Sequence, residues 1–165
     1  LNTHLYLVAL GSNQRHPVFG RPCDVLGLAT ELLDETLGTV LALSPIIETA
    51  PVGPSLRRYA NAALVLESEL APSGLLDCLQ EVEAALGRKR MGQRWRSRTL
   101  DLDIVLWSGG IVAEKDLQIP HPLFRERDFV LGPAAAIAPG WCDPVTGLTV
   151  KQLYARLTRQ RPVPR

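Results

Sequence analysis

Hydrophobic and polar positions change period several times along the chain, and each change marks an element. His4–Leu10, HLYLVAL, is aliphatic and aromatic throughout and ends at Gly11-Ser12-Asn13, which predicts a buried first strand closed by a turn. Asp24 can cap a helix in which Val25, Leu28, Ala29 and Leu32 recur at helical spacing. With Gly38 as the stop, that helix is predicted over Val25 to Leu37. Thr39 to Thr49 is strand-like but broken by Pro45, the pattern of an edge strand or a bulge. Beyond the loop residues APVGP, Tyr59 to Leu70 alternates as a third strand. Ser73 then precedes Leu75, Leu79, Val82 and Leu86, which share one face of a second helix that stops at Gly87. The fourth strand lies within RWRSRTLDLDIVLW, Arg94 to Trp107. There Leu100, Leu102, Ile104 and Leu106 share one face, and Asp101, Asp103, Val105 and Trp107 share the other.

The resulting order, β-α-β-β-α-β, is that of the ferredoxin-like α+β class: an antiparallel sheet with both helices on one face. The four aliphatic residues of the last strand belong under the helices, which turns Asp101 and Asp103 toward the open face. From Gly109 on, Pro120, Pro122, Pro133 and Pro139 predict a C-terminal extension of short helices and loops. No internal repeat or long linker divides the 165 residues, so a single domain over 1–165 is expected. A hydrophobic content of 46% suffices for its core.

Net charge changes this picture little, because a formal +1 argues against a bulk nucleic-acid binder or a disordered acidic tail. Cys23, Cys78 and Cys142 are odd in number and widely spaced, which fits neither a disulfide framework nor a zinc site. The apolar run Leu5–Leu10 is too short to span a bilayer and lacks the flanks of a secretory signal. A soluble, cytoplasmic monomer is expected, acting on small molecules with neither nucleic acid nor membrane as partner.

Candidate chemistry concentrates in the last strand and the residues before it. Two carboxylates at i and i+2 project side by side and repel at neutral pH unless a cation or proton intervenes. Hard oxygen ligands of this kind favour Mg²⁺, which takes one or two carboxylates and completes its shell with water and phosphate oxygens. Arg94, Arg96 and Arg98 offer another solution, a surface salt-bridge network. However, Arg88, Lys89, Arg90 and those three arginines also form a guanidinium cluster suited to phosphate, and phosphoryl transfer needs both a metal site and an anion site. His121, held between prolines in IPHPLF, can donate to a phosphate or position a hydroxyl. The chain has no G-x-x-x-x-G-K-[ST], so a nucleotide would be held by arginine side chains and metal. Tyr59 and Asn61 can present a ring and an amide from one strand face, and Phe129 follows the basic pair Arg125 and Arg127. A flat heterocycle could stack on such rings and pair its polar edge with the amide.

These segments carry a family likeness. ALGSN at Ala9–Asn13, ETAPVG at Glu48–Gly53, YANAAL at Tyr59–Leu64, RWRSRTLDLDIVLW, and IPHPLFRERDFVL at Ile119–Leu131 resemble, in order and spacing, the 6-hydroxymethyl-7,8-dihydropterin pyrophosphokinases of folate biosynthesis. The resemblance implies transfer of the β,γ-diphosphate of ATP to the pterin hydroxymethyl group, leaving AMP. It implies ATP as co-substrate and two Mg²⁺ ions held by Asp101 and Asp103, one joining the α- and β-phosphates to the attacking hydroxyl, the other joining the β- and γ-phosphates. Tyr59 and Phe129 would flank the pterin ring, with Asn61, Gly11 and backbone groups near Thr49, Ala50 and Val52 on its edge. Glu83, Arg98, Ile104, His121 and Arg127 fall at positions resembling ATP contacts. Arg88 and Arg90, catalytic and ATP-binding by the same likeness, belong to a loop that closes the site, with Trp95 at its far end facing both substrates. The Gln14–Cys23 loop is longer than the family pattern, and Ala50 and Asp116 depart from it.

Two other readings share parts of this pattern. RNA-recognition domains use the same element order but stack bases on exposed sheet aromatics, and the last strand here exposes carboxylates instead. A two-metal nuclease would also pair aspartates around Mg²⁺, with activity on plain DNA or RNA and no need for ATP.

Overall fold

The computed structural model describes residues 2–49, 58–87 and 99–159. Strand β1, His4–Ser12, runs two residues past the expected end at Leu10, because Gly11 and Ser12 still pair with Asn61 and Ala60. Helix α1, Pro22–Thr36, also starts earlier than expected. Proline serves well in a first turn, where its missing N–H has no partner to lose. Asp24 therefore lies inside the first turn, and its carboxylate accepts the Arg21 N–H at 2.9 Å. Gly38 follows the helix, where a Cβ would lie 2.0 Å from the Glu67 carbonyl oxygen, so only glycine allows the chain to turn so close to the sheet.

The segment broken by Pro45 becomes two strands, β2 (Thr39–Leu43) and β3 (Ile47–Thr49), both antiparallel to β4 (Tyr59–Ser68). Ser44 bridges the break: its N–H donates to the Ala63 carbonyl and its hydroxyl accepts the Ala63 N–H, each at 2.9 Å. Helix α2, Pro72–Ala85, and strand β5, Asp101–Trp107, complete the core. The sheet order β2-β4-β1-β5 is antiparallel throughout, as the ferredoxin-like order requires. Tyr6, Val8, Leu10, Ala62, Leu64, Leu102 and Ile104 pack beneath Val25, Leu26, Leu33, Leu75 and Leu79 of the two helices.

Two expectations about faces need correction. Leu106 does not lie under the helices. Leu7 pairs with Leu106 while Val8 pairs with Ile104, so Val105 is an extra residue in β5, a bulge that interrupts the alternation. Val105 and Leu106 both face the second side, and Trp107 packs back on the helix side.

Nor is the second side open along its length. After a small hairpin, β6 (Val112–Ala113) and β7 (Gln118–Ile119), a 3-10 turn at Phe124–Glu126 leads into α3 (Asp128–Ile137), followed by α4 (Val150–Thr158). Phe124, Val130, Leu131, Ala134, Val150 and Leu153 cover Leu7, Ala63, Val65 and Leu106 in a second core. Among the described residues, the end of this face carrying Gly11 and Asp101 lies outside that cover. Among the described residues, no helix is long and apolar enough to cross a membrane.

Candidate active site

Strand register assembles the site. Gly11 of β1 pairs with Asn61 on one side and Asp101 on the other, so Asn61, Gly11 and Asp101 form one row across three strands. The next row is Ala63, Ala9 and Asp103, and below it Val65, Leu7 and Leu106 enter the second core. The face thus grades from polar through small to large apolar residues. Glycine and alanine in the middle leave room above the sheet. A Cβ at Gly11 would sit 3.3 Å from Asn61 Oδ1, so glycine here keeps both the floor low and the carboxamide in place.

That room is a pocket of about 500 Å³, lined on the floor by Ala9, Gly11, Asn61, Asp101 and Asp103, and on its sides by Thr49, Tyr59, Arg127 and Phe129. Phe129 is 40% exposed, a large ring turned outward in the first turn of α3, with the Arg127 guanidinium 5.7 Å from its centroid. Asn61 is buried, and its carboxamide lies on the pocket floor. Ser12 Oγ and Asn13 Oδ1 also line the pocket region as buried oxygens without a partner among those residues. Buried polar atoms are normally paired, so these atoms supply hydrogen-bonding capacity to a ligand.

His121 stands beside the carboxylates, with Nε2 3.8 Å from Asp103 Oδ2. Its Nδ1 accepts the Leu123 N–H at 3.1 Å, which leaves the imidazole proton on Nε2, facing Asp103. Burial pushes this imidazole below its ordinary value; the Asp103 charge opposes the shift and the Arg127 charge adds to it. The loop carrying His121 is held by its own N–H, which donates to the Val105 carbonyl at 3.0 Å. Below, Arg125 forms two bonds to the fully buried Asp143, Nε to Oδ2 at 2.6 Å and a terminal nitrogen to Oδ1 at 2.8 Å. Burial would raise the Asp143 carboxyl, but bonds from Arg125, the Thr146 hydroxyl and the Val145 N–H outweigh it and hold the group at about 2.

Among the described residues, no third His, Cys, Asp or Glu joins Asp101 and Asp103 as a metal-holding group. Two carboxylates side by side on a pocket floor, with room for water and phosphate oxygens, nonetheless suit Mg²⁺.

The structure therefore brings together Gly11, Thr49, Tyr59, Asn61, Asp101, Asp103, Arg127 and Phe129 around one pocket, with His121 adjoining Asp103. Glu83 and Ile104 lie elsewhere, buried on the helix side, with Glu83 Oε1 accepting the Leu102 N–H at 2.7 Å. Ala50, Val52, Arg88, Arg90, Trp95 and Arg98 lie outside the described residues. Ser12 and Asn13 were missed as pocket residues because GSN reads as a turn; the signal available was polar residues directly following a buried strand.

The family model for 7,8-dihydro-6-hydroxymethylpterin-pyrophosphokinase matches residues 7–139. A 2-amino-4-hydroxy-6-hydroxymethyldihydropteridine pyrophosphokinase of Methylorubrum extorquens is 40% identical over 157 residues, 94% of each chain. The protein of the same name from Pseudomonas aeruginosa is 41% identical over 133 residues, 80% of this chain and 79% of its own. Among solved structures, Plasmodium falciparum HPPK-DHPS, wild type with STZ-DHP, superposes with a TM-score of 0.73 at 15% identity over 94% of this chain, a likeness of fold. This chain spans 43% of the length of that one.

Proposed function

The chain belongs to the 7,8-dihydro-6-hydroxymethylpterin-pyrophosphokinase family, and from that premise we propose that it catalyses the reaction its relatives' names describe, with ATP as co-substrate. The hydroxymethyl oxygen of 6-hydroxymethyl-7,8-dihydropterin attacks the β-phosphorus of ATP. The bond from the β-phosphorus to the oxygen bridging to the α-phosphate breaks, AMP departs with that oxygen, and the hydroxyl proton goes to solvent. The product is the pterin diphosphate, a step of folate biosynthesis.

One observation carries this reading: a buried carboxamide and a pair of carboxylates share the floor of one pocket, at Asn61, Asp101 and Asp103. The amide suits the donor and acceptor edge of a pterin, and Tyr59 and Phe129 offer faces for its ring. Thr49, Ser12 and Asn13 add polar groups at the same end of the sheet. Asp101 and Asp103 would hold the two Mg²⁺ ions, which when bound neutralise phosphate charge and acidify a coordinated hydroxyl. Arg127 and the Nε2–H of His121 would donate to phosphate oxygens, and a neutral imidazole would do so without pairing with the Asp103 carboxylate. On sequence likeness alone we add Arg88, Arg90 and Arg98 as phosphate partners, Trp95 as a contact to both substrates, and Ala50 and Val52 at the pterin edge. Because such transfer gains from alignment and charge neutralisation, no covalent nucleophile is required. We further propose a monomeric enzyme acting on small molecules, and we assign it to the cytoplasm, where its three cysteines would stay reduced.

The test is AMP release with ATP, Mg²⁺ and the dihydropterin, against controls lacking pterin or containing EDTA. AMP that requires both pterin and metal supports the reading. ADP, or hydrolysis of plain DNA or RNA without ATP, would overturn it.

A further inference from the structure

Among the described residues, strand β5 lies at the end of the sheet and pairs with β1 alone, so its outward backbone groups lack a neighbouring strand there. Two of them are nevertheless satisfied. The Val105 carbonyl accepts the His121 N–H at 3.0 Å, and the Leu102 N–H donates to Glu83 Oε1 at 2.7 Å. Leu102 is the residue between Asp101 and Asp103. Glu83 is 3% exposed, set in the last turn of α2 among residues whose neighbours Leu79 and Leu86 belong to the core.

A buried carboxylate is costly to desolvate, and a helix facing this core would ordinarily carry leucine there. Its bond to an edge N–H is charge-assisted and short, and it fixes the first of the two peptides between the aspartates. We propose that Glu83 is a positioning residue: it substitutes for a missing strand at the Asp101–Leu102 peptide, one of the two whose orientation sets the spacing of Asp101 and Asp103. It acts through the Leu102 N–H. This rests on the reading of Asp101 and Asp103 as the carboxylates of the transfer site.

Glu83→Gln keeps an oxygen acceptor in the same volume, whereas Glu83→Met keeps the volume and loses the acceptor. Leu102 amide exchange, the Mg²⁺ concentration for half-maximal activity, kcat, and pterin affinity measured without metal are read in both variants. Losing a hydrogen bond to a charged acceptor corresponds to roughly a tenfold to hundredfold effect. Glu83→Met is expected to speed Leu102 exchange and to raise the Mg²⁺ requirement and lower kcat by that order. Pterin affinity should stay unchanged, because Tyr59, Asn61 and Phe129 stand on β4 and α3. Glu83→Gln should stay within about threefold of the parent in all four readouts. Wild-type Mg²⁺ response or wild-type Leu102 protection in folded Glu83→Met would overturn the proposal. Should that variant fail to fold, a loss of turnover in Glu83→Gln as deep as that of Asp101→Asn would overturn it equally, since charge and not the bond would then matter. Retained activity in both Asp101→Asn and Asp103→Asn would instead sink the reading of the transfer site, while Leu102 exchange would still report on Glu83.

Discussion

Replacing Arg125 with methionine tests how much the buried Arg125–Asp143 pair stabilises the fold. Asp143 is fully buried and accepts from Arg125 twice, from Val145 and from Thr146. Removing Arg125 strands a buried carboxylate, which costs about 3 kcal/mol or more. For a chain of this size that lowers Tm by roughly 6 to 12 °C. The double variant Arg125→Met/Asp143→Leu removes the stranded charge and should recover at least half of the loss. An acid signature follows as well. Folding lowers the Asp143 carboxyl from 3.8 to about 2, so it contributes stability fully present above about pH 4 and lost as pH falls toward 2. The amount is about 2 kcal/mol. Thermal melts of parent, single and double variants at neutral pH and down through that window would measure both effects. A single variant within 2 °C of the parent, or no more labile than the double, would refute the reasoning.

Three further outcomes are expected. Gly11→Ala places a methyl 3.3 Å from Asn61 Oδ1 and should raise the pterin KM about tenfold with little change in the ATP KM, since about 1.4 kcal/mol of displaced hydrogen bonding corresponds to that factor; equal shifts in both would contradict the floor assignment. Phe129→Ala removes a ring that is 40% exposed, so pterin affinity should fall about tenfold, for roughly 1.5 kcal/mol of stacking, while urea stability changes little; unchanged affinity would remove Phe129 from the pterin site. Tyr6→Phe breaks the 2.6 Å bond to the Leu70 carbonyl and should cost about 1 kcal/mol in urea unfolding. Burial raises the Tyr6 phenol to about 12, so the parent's neutral Tyr6 favours the fold below about pH 10, and that contribution is lost as pH rises toward 12. A variant that matches the parent across this range would refute it.

Much of the architecture was legible because its signals were local. Leu75 and Leu79 marked the buried face of α2, with Leu86 just past its end, and the alternation of Leu102 and Ile104 with Asp101 and Asp103 matched the faces at the pocket end of β5. Beyond Ile104 the alternation misled, because a bulge is an agreement between two strands and leaves no mark on one. Cover over the second face was invisible for a similar reason: Phe124, Val130 and Leu153 come from three separate segments that only packing unites. Asn61 and Asp101 could each be singled out by type, but their alignment through Gly11 is a matter of register. Glu83 sits at a helical position compatible with several roles, and only the fold reveals the edge N–H it answers.

We propose that this pocket moves two phosphates as one unit onto a pterin, with Asp101 and Asp103 indispensable. Phosphorus NMR of the complete reaction tests it most directly, in the parent and in Asp103→Asn. The account predicts AMP and a pterin carrying a diphosphate in equal amounts from the parent, and neither above background from the variant. A pterin monophosphate with ADP, or parent-like product from Asp103→Asn, would contradict it.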